Sequence, residues 1–176
     1  MIRLLTLLAK VISVISQLFS IGSGGTWPGE IALIIYPQIL KYYLSRVQKG
    51  IIIIAGTNGK TTTSKMIQKI ITDSYNGNST KIVHNDSGAN LLNGIVSAFI
   101  QQSDYIGNIT VDFAILEVDE STLPLLLDYC KNKKLAIVLL NLFRDQLDRY
   151  GEVDTIATKW NNTLTEIPQG ILILNA

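Results

Sequence analysis

The stretch that decides the fold runs from Gly50 to Ile71 and reads GIIIIAGTNGKTTTSKMIQKII. Its first part, Ile51–Ala55, is a short and continuous run of mostly β-branched residues, which predicts a buried strand. From Lys60 onward the apolar side chains recur at the spacing of a helix, at Met66, Ile67, Ile70 and Ile71. The stretch therefore predicts a strand, a tight turn and a helix in direct succession.

The turn between the strand and the helix has the composition of an anion site. Gly56 and Gly59 permit backbone angles and close approaches that a Cβ atom would block. The free N–H groups and the dipole at a helix N-terminus favour negative charge. Lys60 adds a mobile positive charge for outer phosphates, and the Thr61 hydroxyl can ligate Mg²⁺. We expect nucleotide phosphates to bind over Gly56, Thr57, Asn58, Gly59, Lys60, Thr61 and Thr62.

The longer phosphate-loop pattern, G-x-x-x-x-G-K-[ST], is met only in part. Its first glycine would fall on Ile54, and the loop is the shorter G-T-N-G-K-T. The alternative is an ordinary strand–turn–helix with a chance lysine. The order of strand, glycines, Lys-Thr and helix favours the phosphate-binding interpretation.

Composition narrows the class of protein. A chain of 176 residues allows one domain of ordinary size with a real core. The formal net charge of +1 gives no footprint for nucleic acid. The single cysteine, Cys130, lies in a helical pattern and predicts a buried thiol, which argues against a disulfide or a cysteine metal site. His84, the only histidine, ends an apolar run, and we expect it to be structural.

The N-terminal segment, MIRLLTLLAKVISVISQLFS, is apolar enough to suggest a signal peptide or a membrane span. Its polar residues nevertheless recur every three or four positions and predict one stripe on an amphipathic helix. They are Arg3, Thr6, Lys10, Ser13, Gln17 and Ser20. Lys10 would fall inside any apolar core segment, which argues against export and against a span. We expect the helix to pack on the domain, with a partner or a membrane surface as alternatives, and we expect a cytoplasmic ATP site.

The rest of the chain alternates between the two periodicities. Strands are predicted at 81–84, 112–118, 135–141 and 171–174, and helices at 91–102, 122–131 and 153–164. Before the first strand, a glycine-rich loop precedes a helix from about Ile31 that breaks at Pro37 and resumes to about Val47. This order predicts an α/β fold of the P-loop type, a mostly parallel sheet with helices on both faces. We expect a helical region over 1–49 and an ATP-binding domain over 50–176.

Polar side chains follow four of the predicted strands, at the edge where ligands bind in parallel sheets. Glu117 closes one strand, and an acid inside a buried strand is costly without a cation. Thr61 and Glu117 are therefore the predicted Mg²⁺ ligands. Asp119 and Glu120, which follow on the same segment, are interpreted equally well as part of this metal site or as N-caps of the following helix.

The segment NLFRDQLDRYG, from Asn141 to Gly151, is dense in hydrogen-bonding side chains. Its charged residues, Arg144, Asp145, Asp148 and Arg149, either pair with one another in a structural network or arrange the metal and the acyl substrate. The residues alone leave both alternatives open.

Four motifs together resemble the central domain of the Mur ligases. They are GTNGKTTT (56–63), SGANLLNGI (87–95), LEVDES (116–121) and NLFRDQLDRYGEVDTI (141–156). The first is shared with amino-acid-adding Mur ligases and folylpolyglutamate synthetases. SGAN with NLFRDQLDRYGE, and GSGGTWPGEIAL upstream, are more similar to the Mur-ligase-like subunit of lipid II isoglutaminyl synthases.

That resemblance implies a reaction, cofactors and a partner. The α-carboxyl group of D-glutamate in the lipid II stem peptide would be activated by ATP and Mg²⁺ as an acyl phosphate. Ammonia from a glutamine amidotransferase subunit of the GatD type would then give D-isoglutamine. The resemblance makes Lys60 and Glu117 catalytic. It places on the substrate side Asn85, Ser87, Asn90, Asn141, Arg144, Asp145 and Gln146.

The sequence also departs from the amino-acid-adding ligases. Gln146 stands where they have a histidine metal ligand, and Lys159 is out of register with their modified lysine. About fifty residues precede the first strand, too few for their UDP-binding domain. The sequence ends at ILILNA, so the family's zinc-binding cysteine ribbon, C-terminal domain and catalytic acid would lie outside it.

We expect from this end a fragment or truncated product that binds phosphate weakly and does not complete the reaction alone. The rival interpretations are an amino-acid-adding or folate ligase, a non-ligase NTPase, and a P-loop module without catalysis.

Overall fold

The computed structural model describes residues 2–18, 26–75, 80–86, 88–143, 153–167 and 170–175. Its helices are α1 (Ile2–Leu18), α2 (Trp27–Ile35), α3 (Ile39–Ser45), α4 (Lys60–Ser74), α5 (Leu92–Gln102), α6 (Leu123–Cys130) and α7 (Val153–Thr165). Its strands are β1 (Val47–Ala55), β2 (Ile82–His84), β3 (Val111–Val118), β4 (Leu135–Leu139) and β5 (Gly170–Leu174).

The five strands form one parallel sheet in the order β2-β3-β1-β4-β5. Strand β1 is central, and Ile54 lies in register with Glu117 of β3 on one side and Val138 of β4 on the other. Because all strands point the same way, the segments after β1, β2, β3 and β4 meet at one edge of the sheet. The predicted α/β fold is confirmed.

Helices cover the sheet on both faces, as predicted. Ile52 and Ile54 of β1 pack toward Ile67 and Ile71 of α4, in the smaller of two apolar clusters. The alternate residues, such as Ile53, belong to the larger cluster formed with α1, α2, α3, α5, α6 and α7. The strand is buried on both sides, which explains why its sequence is a continuous isoleucine run.

Helix α2 begins at Trp27, earlier than the predicted start near Ile31. Pro28 occupies its first turn, where a missing N–H group costs nothing. Gly29 brings α2 against α5, since a Cβ atom there would lie 1.9 Å from the Asn93 carbonyl oxygen. The glycine that suggested a loop is instead the contact that lets two helices approach.

Helix α1 packs on α2 and α5 with its polar stripe turned partly inward. The Thr6 hydroxyl is buried 3.3 Å from the Tyr43 hydroxyl, and Lys10 donates to the Ser103 carbonyl oxygen at 2.5 Å. Large apolar side chains face outward instead, at Leu4, Leu7, Leu8 and Val11. The predicted packing is confirmed, and the side that faces the domain combines Leu5 and Ala9 with the polar Thr6.

None of the helices in the described ranges combines the length and the hydrophobicity needed to cross a bilayer.

Strand β5 forms an edge of the sheet as described, and it differs from β1 in its cover. Every residue from Gly170 to Leu174 is exposed, with Ile171 exposed by 65% and Leu174 by 61%. Only its pairing with β4 holds it in the described structure, in register from Leu135 with Gly170 to Leu139 with Leu174.

Candidate functional site

The turn after β1 depends on two glycines. Gly56 has a φ of +142° and Gly59 a φ of +88°, both in the region that side chains rarely adopt. A Cβ atom on Gly56 would also lie 2.9 Å from the Asn141 carbonyl oxygen. The loop after β1 is therefore packed directly on the segment that follows β4, and no larger residue fits there.

Asn141 holds this loop from the neighbouring strand. Its backbone carbonyl accepts from the Thr57 N–H at 3.1 Å, and its side-chain oxygen accepts from the Asn58 N–H at 2.9 Å. The side-chain nitrogen of Asn141 donates to the Asn58 carbonyl at 3.0 Å. Asn141 was predicted to line the substrate side, and the structure shows both side-chain polar atoms engaged in shaping the loop.

Helix α4 begins at Lys60, and its N-cap is Gly59, which has no side chain to cap the first N–H groups. Helix ends leave such N–H groups available to a ligand. The Lys60 ammonium donates to the carbonyl oxygens of Gly56 and, at 3.1 Å, Thr57. Free helix amides and an ammonium thus lie in one short loop, a combination that has the chemistry of a phosphate site.

A groove of about 330 Å³ adjoins this loop. Its walls include Asn58, Gly59 and Thr63 on one side and Asn141, Leu174 and Asn175 on the other. Two other surface hollows are lined by Lys133 and by Thr110, which precede β4 and β3 and so lie at the opposite edge of the sheet.

Glu117 lies beside the loop with only 2% of its surface exposed. Its Oε2 atom accepts from the Thr61 hydroxyl at 2.7 Å, and its Oε1 atom accepts from the Ser64 hydroxyl at 2.7 Å. The Nε2 atom of His84 lies 3.3 Å from Oε1. Burial opposes ionisation, but the hydrogen bonds from His84, Ser64 and Thr61 outweigh it and lower the pKa of the Glu117 carboxyl. The carboxylate is therefore held in its charged form.

The separation of Thr61 and Glu117 fits a shared magnesium ion. Adjacent ligands of an octahedron with metal–oxygen distances of about 2.0–2.1 Å lie about 2.9 Å apart. The Thr61 hydroxyl and Glu117 Oε2 are 2.7 Å apart. Both are hard oxygen donors, which Mg²⁺ prefers, and within the described residues no cluster of three His, Cys, Asp or Glu side chains competes with them.

The loop after β2 reaches the same edge through Asn85 and Asn90. The Asn85 side chain accepts from the Glu117 N–H at 2.9 Å and donates to the carbonyls of Glu117 and Ala89, both at 2.9 Å. The Asn90 carbonyl accepts from the Asp119 N–H. Asn85 is buried and fully engaged with the backbone, so in the described structure it fixes the strand that carries Glu117. The side chain of Asn90 remains a candidate on the substrate side.

Asp119 and Glu120, predicted as helix caps, behave differently from each other. The Asp119 carboxylate accepts from the N–H and hydroxyl of Ser121 and closes the turn before α6. Glu120 is 2% exposed, and its Oε1 atom has no hydrogen-bond partner among the described residues. The capping interpretation is therefore wrong for the Glu120 side chain. The backbone carbonyl of Glu120 accepts a hydrogen bond from the Trp160 indole N–H at 2.9 Å.

Several predicted site residues lie outside the described residues: Ser87, Arg144, Asp145, Gln146, Asp148 and Arg149. Thr62 is described and lies exposed in the first turn of α4. Cys130 is buried, as predicted, and burial raises the pKa of its thiol to about 12.

Sequence reasoning missed three residues around Glu117. Ser64 follows Thr61 by three residues, so a helical projection would have placed both hydroxyls on one face of α4. His84 and Gln68 gave no such signal, because their contacts depend on how β2 and α4 flank β3. His84, expected to be merely structural, has its ring nitrogens 3.0 Å from Gln68 Oε1 and 3.3 Å from Glu117 Oε1.

The sequence of this chain matches a family model and several curated proteins. The sequence family model of the Mur ligase middle domain matches residues 54–176. The lipid II isoglutaminyl synthase (glutamine-hydrolyzing) subunit MurT of Staphylococcus aureus strain COL is 39% identical over 159 residues, which are 89% of this chain and 33% of the relative. The MurT subunit of Streptococcus pneumoniae strain R6 is 33% identical over 156 residues, 88% of this chain and 32% of that one. The chain thus spans about one third of the length of these curated relatives.

Proposed function

Because this chain belongs to the Mur ligase middle domain family, we propose that it forms the ATP-binding part of a carbon–nitrogen ligase. The observation that carries the proposal is the combination of the glycine loop and Lys60 with the Thr61 hydroxyl and the buried Glu117 carboxylate, whose oxygens are only 2.7 Å apart. One element of that geometry suits phosphate and the other suits the cation that accompanies it.

The residues divide the work in the following way. The N–H groups at the start of α4 and the Lys60 ammonium bind the outer phosphates and neutralise charge as the terminal phosphoryl group is transferred. Thr61 and Glu117 would hold Mg²⁺, which would supply positive charge that stabilises the transferring phosphoryl group. Gly56 and Asn141 keep the loop in the shape that aims these groups.

We propose further that the acyl substrate is the D-glutamate α-carboxylate of lipid II. A carboxylate oxygen would attack the terminal phosphorus of ATP and displace ADP, giving an acyl phosphate. Ammonia would then attack the acyl carbon and displace phosphate, leaving the amide of D-isoglutamine. The similarity to the MurT subunits supports this substrate. The words glutamine-hydrolyzing in the name of these relatives support a GatD-like amidotransferase partner as the source of ammonia.

Nucleotide binding by the purified chain tests the first step. Calorimetry with ATP and Mg²⁺ should show binding to the wild type and a loss of roughly tenfold to 100-fold in affinity for Lys60→Ala, since a hydrogen bond to a charged group contributes about 1.5–3 kcal/mol. Lys65→Ala is the matched control, because Lys65 lies exposed one turn further along α4. Equal affinities for Lys60→Ala and Lys65→Ala would contradict the proposed phosphate site.

The choice of nucleophile tests the reaction class. We expect the complete synthase to consume ATP in the presence of lipid II with ammonia or glutamine, and to ignore free amino acids. Turnover with an amino acid would instead support an amino-acid-adding or folate-type ligase. ATP hydrolysis without any acyl acceptor would support a simple NTPase, and partner binding without turnover would support a P-loop module.

We also propose that α1 contacts a lipid surface, which would suit a lipid-linked substrate. Leu4, Leu7, Leu8 and Val11 point outward on successive turns, and the neighbouring Arg3 is exposed. Residues 2–18 contain no acidic residue, so the outward face with Arg3 beside it would suit an anionic bilayer, whereas Lys10 is turned toward the Ser103 carbonyl.

Vesicle flotation tests this contact. The chain should float with phosphatidylglycerol-containing vesicles, and the Leu7→Glu/Leu8→Glu variant should lose most of that binding. Met66→Glu is the control, since Met66 is exposed to a similar degree on α4. Flotation that survives the double substitution, or self-association through α1 without lipid binding, would contradict the proposal.

A further inference from the structure

We propose that His84, held by Gln68, is a positioning residue that aims the Glu117 carboxylate at the cation of the nucleotide site. The inference rests on the proposed function. It assigns a role to the only histidine in the sequence, whose ring reaches Gln68 on α4 and Glu117 on β3.

The first step concerns the hydrogen on the imidazole ring. Nε2 of His84 lies 3.3 Å from Oε1 of Glu117, and Nδ1 lies 3.0 Å from the side-chain oxygen position of Gln68. An ionised carboxylate can only accept hydrogen bonds, so Nε2 must carry a hydrogen. The Gln68 amide can turn either its oxygen or its nitrogen toward Nδ1, because the two atoms are assigned from the hydrogen-bond network. Gln68 therefore accommodates whichever ring form presents N–H to Glu117.

The second step concerns the two oxygens of Glu117. Oε1 receives the Ser64 hydroxyl at 2.7 Å and the His84 ring at 3.3 Å. Among the described residues, Oε2 receives the Thr61 hydroxyl alone, at 2.7 Å. Two donors, the Ser64 hydroxyl from α4 and the His84 ring from β2, fix Oε1. This leaves Oε2 turned toward Thr61, the other proposed cation ligand. His84 thus helps to decide which oxygen meets the cation.

The third step concerns the cost of losing this arrangement. The side chains of His84 and Glu117 are 5% and 3% exposed, so water cannot readily replace the ring. Without the His84 N–H, Oε1 would keep only the Ser64 hydroxyl, and the carboxylate could rotate away from Thr61. Outer groups that orient a metal ligand commonly change metal affinity by about tenfold to 100-fold.

The contacts also argue against a purely structural histidine. Neither ring nitrogen serves the backbone among the described residues; both reach side chains, one on α4 and one on β3. The ring joins the helix that starts at Lys60 to the strand that carries Glu117. A packing role would need only the shape of the ring, so a variant that keeps the shape and removes the N–H separates the two roles.

The experiment compares ATP affinity with excess Mg²⁺ and with EDTA, measured by fluorescence of a labelled ATP analogue. The ratio of the two dissociation constants reports the contribution of the cation. His84→Phe keeps a planar ring without a donor, and we expect it to reduce this ratio by about tenfold or more while affinity in EDTA stays within about twofold. His84→Gln retains an N–H donor and should recover a large part of the ratio.

Gln68→Met provides a second variant in case His84→Phe does not fold. It keeps the bulk on α4, removes the amide, and should lower the ratio in the same direction by a smaller factor. Wild-type ratios in every variant that folds would overturn the role of His84. A wild-type protein that fails to bind the analogue at all would overturn the proposed function itself, and the two failures are thereby distinguishable.

Discussion

Two apolar runs in this molecule have nearly the same letters and opposite surroundings. Ile51–Ile54 in β1 lies at the centre of the sheet between β3 and β4, with helices on both faces. Ile171–Leu174 in β5 lies at one edge of the described sheet and is exposed throughout. The difference shows that burial is a property of a strand's place in the sheet, which composition does not encode.

Thiol labelling gives the largest expected contrast between these regions. Cys130 belongs to the apolar cluster that covers one face of β1, and its pKa rises from 9.0 to about 12 through burial. Three units leave about a thousandfold fewer thiolates, so native Cys130 should resist iodoacetamide at pH 8. A cysteine introduced by Ile171→Cys should react at the rate of an exposed thiol. Rapid labelling of native Cys130 would show that the cover of β1 opens readily.

Truncation of one isoleucine in each strand should separate their contributions to stability. Ile53→Ala removes a fully buried side chain and should lower the free energy of unfolding by about 2–5 kcal/mol. Ile173→Ala removes a half-exposed side chain and should change it by about 0.5 kcal/mol or less. Urea unfolding measures both, and equal losses would mean that β5 is as well covered as β1.

The glycine that ends β1 should tolerate less than a glycine elsewhere at the same sheet edge. In Gly56→Ala, the new side chain would sit at a φ of +142° and against the Asn141 carbonyl oxygen. We expect this substitution to lower the free energy of unfolding by about 1–3 kcal/mol and to weaken nucleotide binding. Gly88→Ala meets only its φ of +79°, since no atom lies within 4 Å of the added carbon. The thermal midpoint and ATP affinity of both variants check this. If Gly56→Ala bound ATP with wild-type affinity, the tight turn at Gly56 would not be required for nucleotide binding.

The smallest expected effect concerns the opposite end of β1. The backbone N–H of Lys81 and the Lys49 ammonium lower the pKa of Asp112, at the start of β3. A lowered pKa contributes stability that is complete above the unfolded value, near 4, and is lost as pH falls through the lower folded value. The loss of unfolding free energy on acidification should therefore be smaller in Asp112→Asn than in the wild type. We expect the difference to be about 1 kcal/mol or less, because Lys49 is exposed. Unfolding curves between pH 6 and pH 3 (roughly the span over which an Asp titrates) would contradict this if both proteins lost stability in parallel.

The sequence predicted the order of strands and helices because both depend on local periodicity. It predicted the loop of Gly56, Gly59 and Lys60 because those residues are contiguous. It could not predict that α1 turns Thr6 and Lys10 inward, because the groups that satisfy them, Tyr43 and Ser103, are far away in the chain. A helical stripe shows which residues share a face and leaves open which face meets the domain.

The surroundings of Glu117 show the same limit. Its burial followed from the apolar strand around it, and that prediction is confirmed. Its neighbours come from two other elements, with Ser64 and Thr61 on α4 and His84 on β2. Likewise, the family resemblance places Asn85 and Asn141 on the substrate side. The structure shows that an amide at such a position also serves the backbone of its neighbour.

The resting position of Lys60 has a consequence for how a nucleotide would enter. Its ammonium donates to the carbonyls of Gly56 and Thr57, so the loop is braced by its own lysine. Incoming phosphate would exchange one set of oxygens for another around a cation that is already in place. Little ordering of the chain would accompany that exchange, and preorganisation of this kind lowers the entropic cost of association.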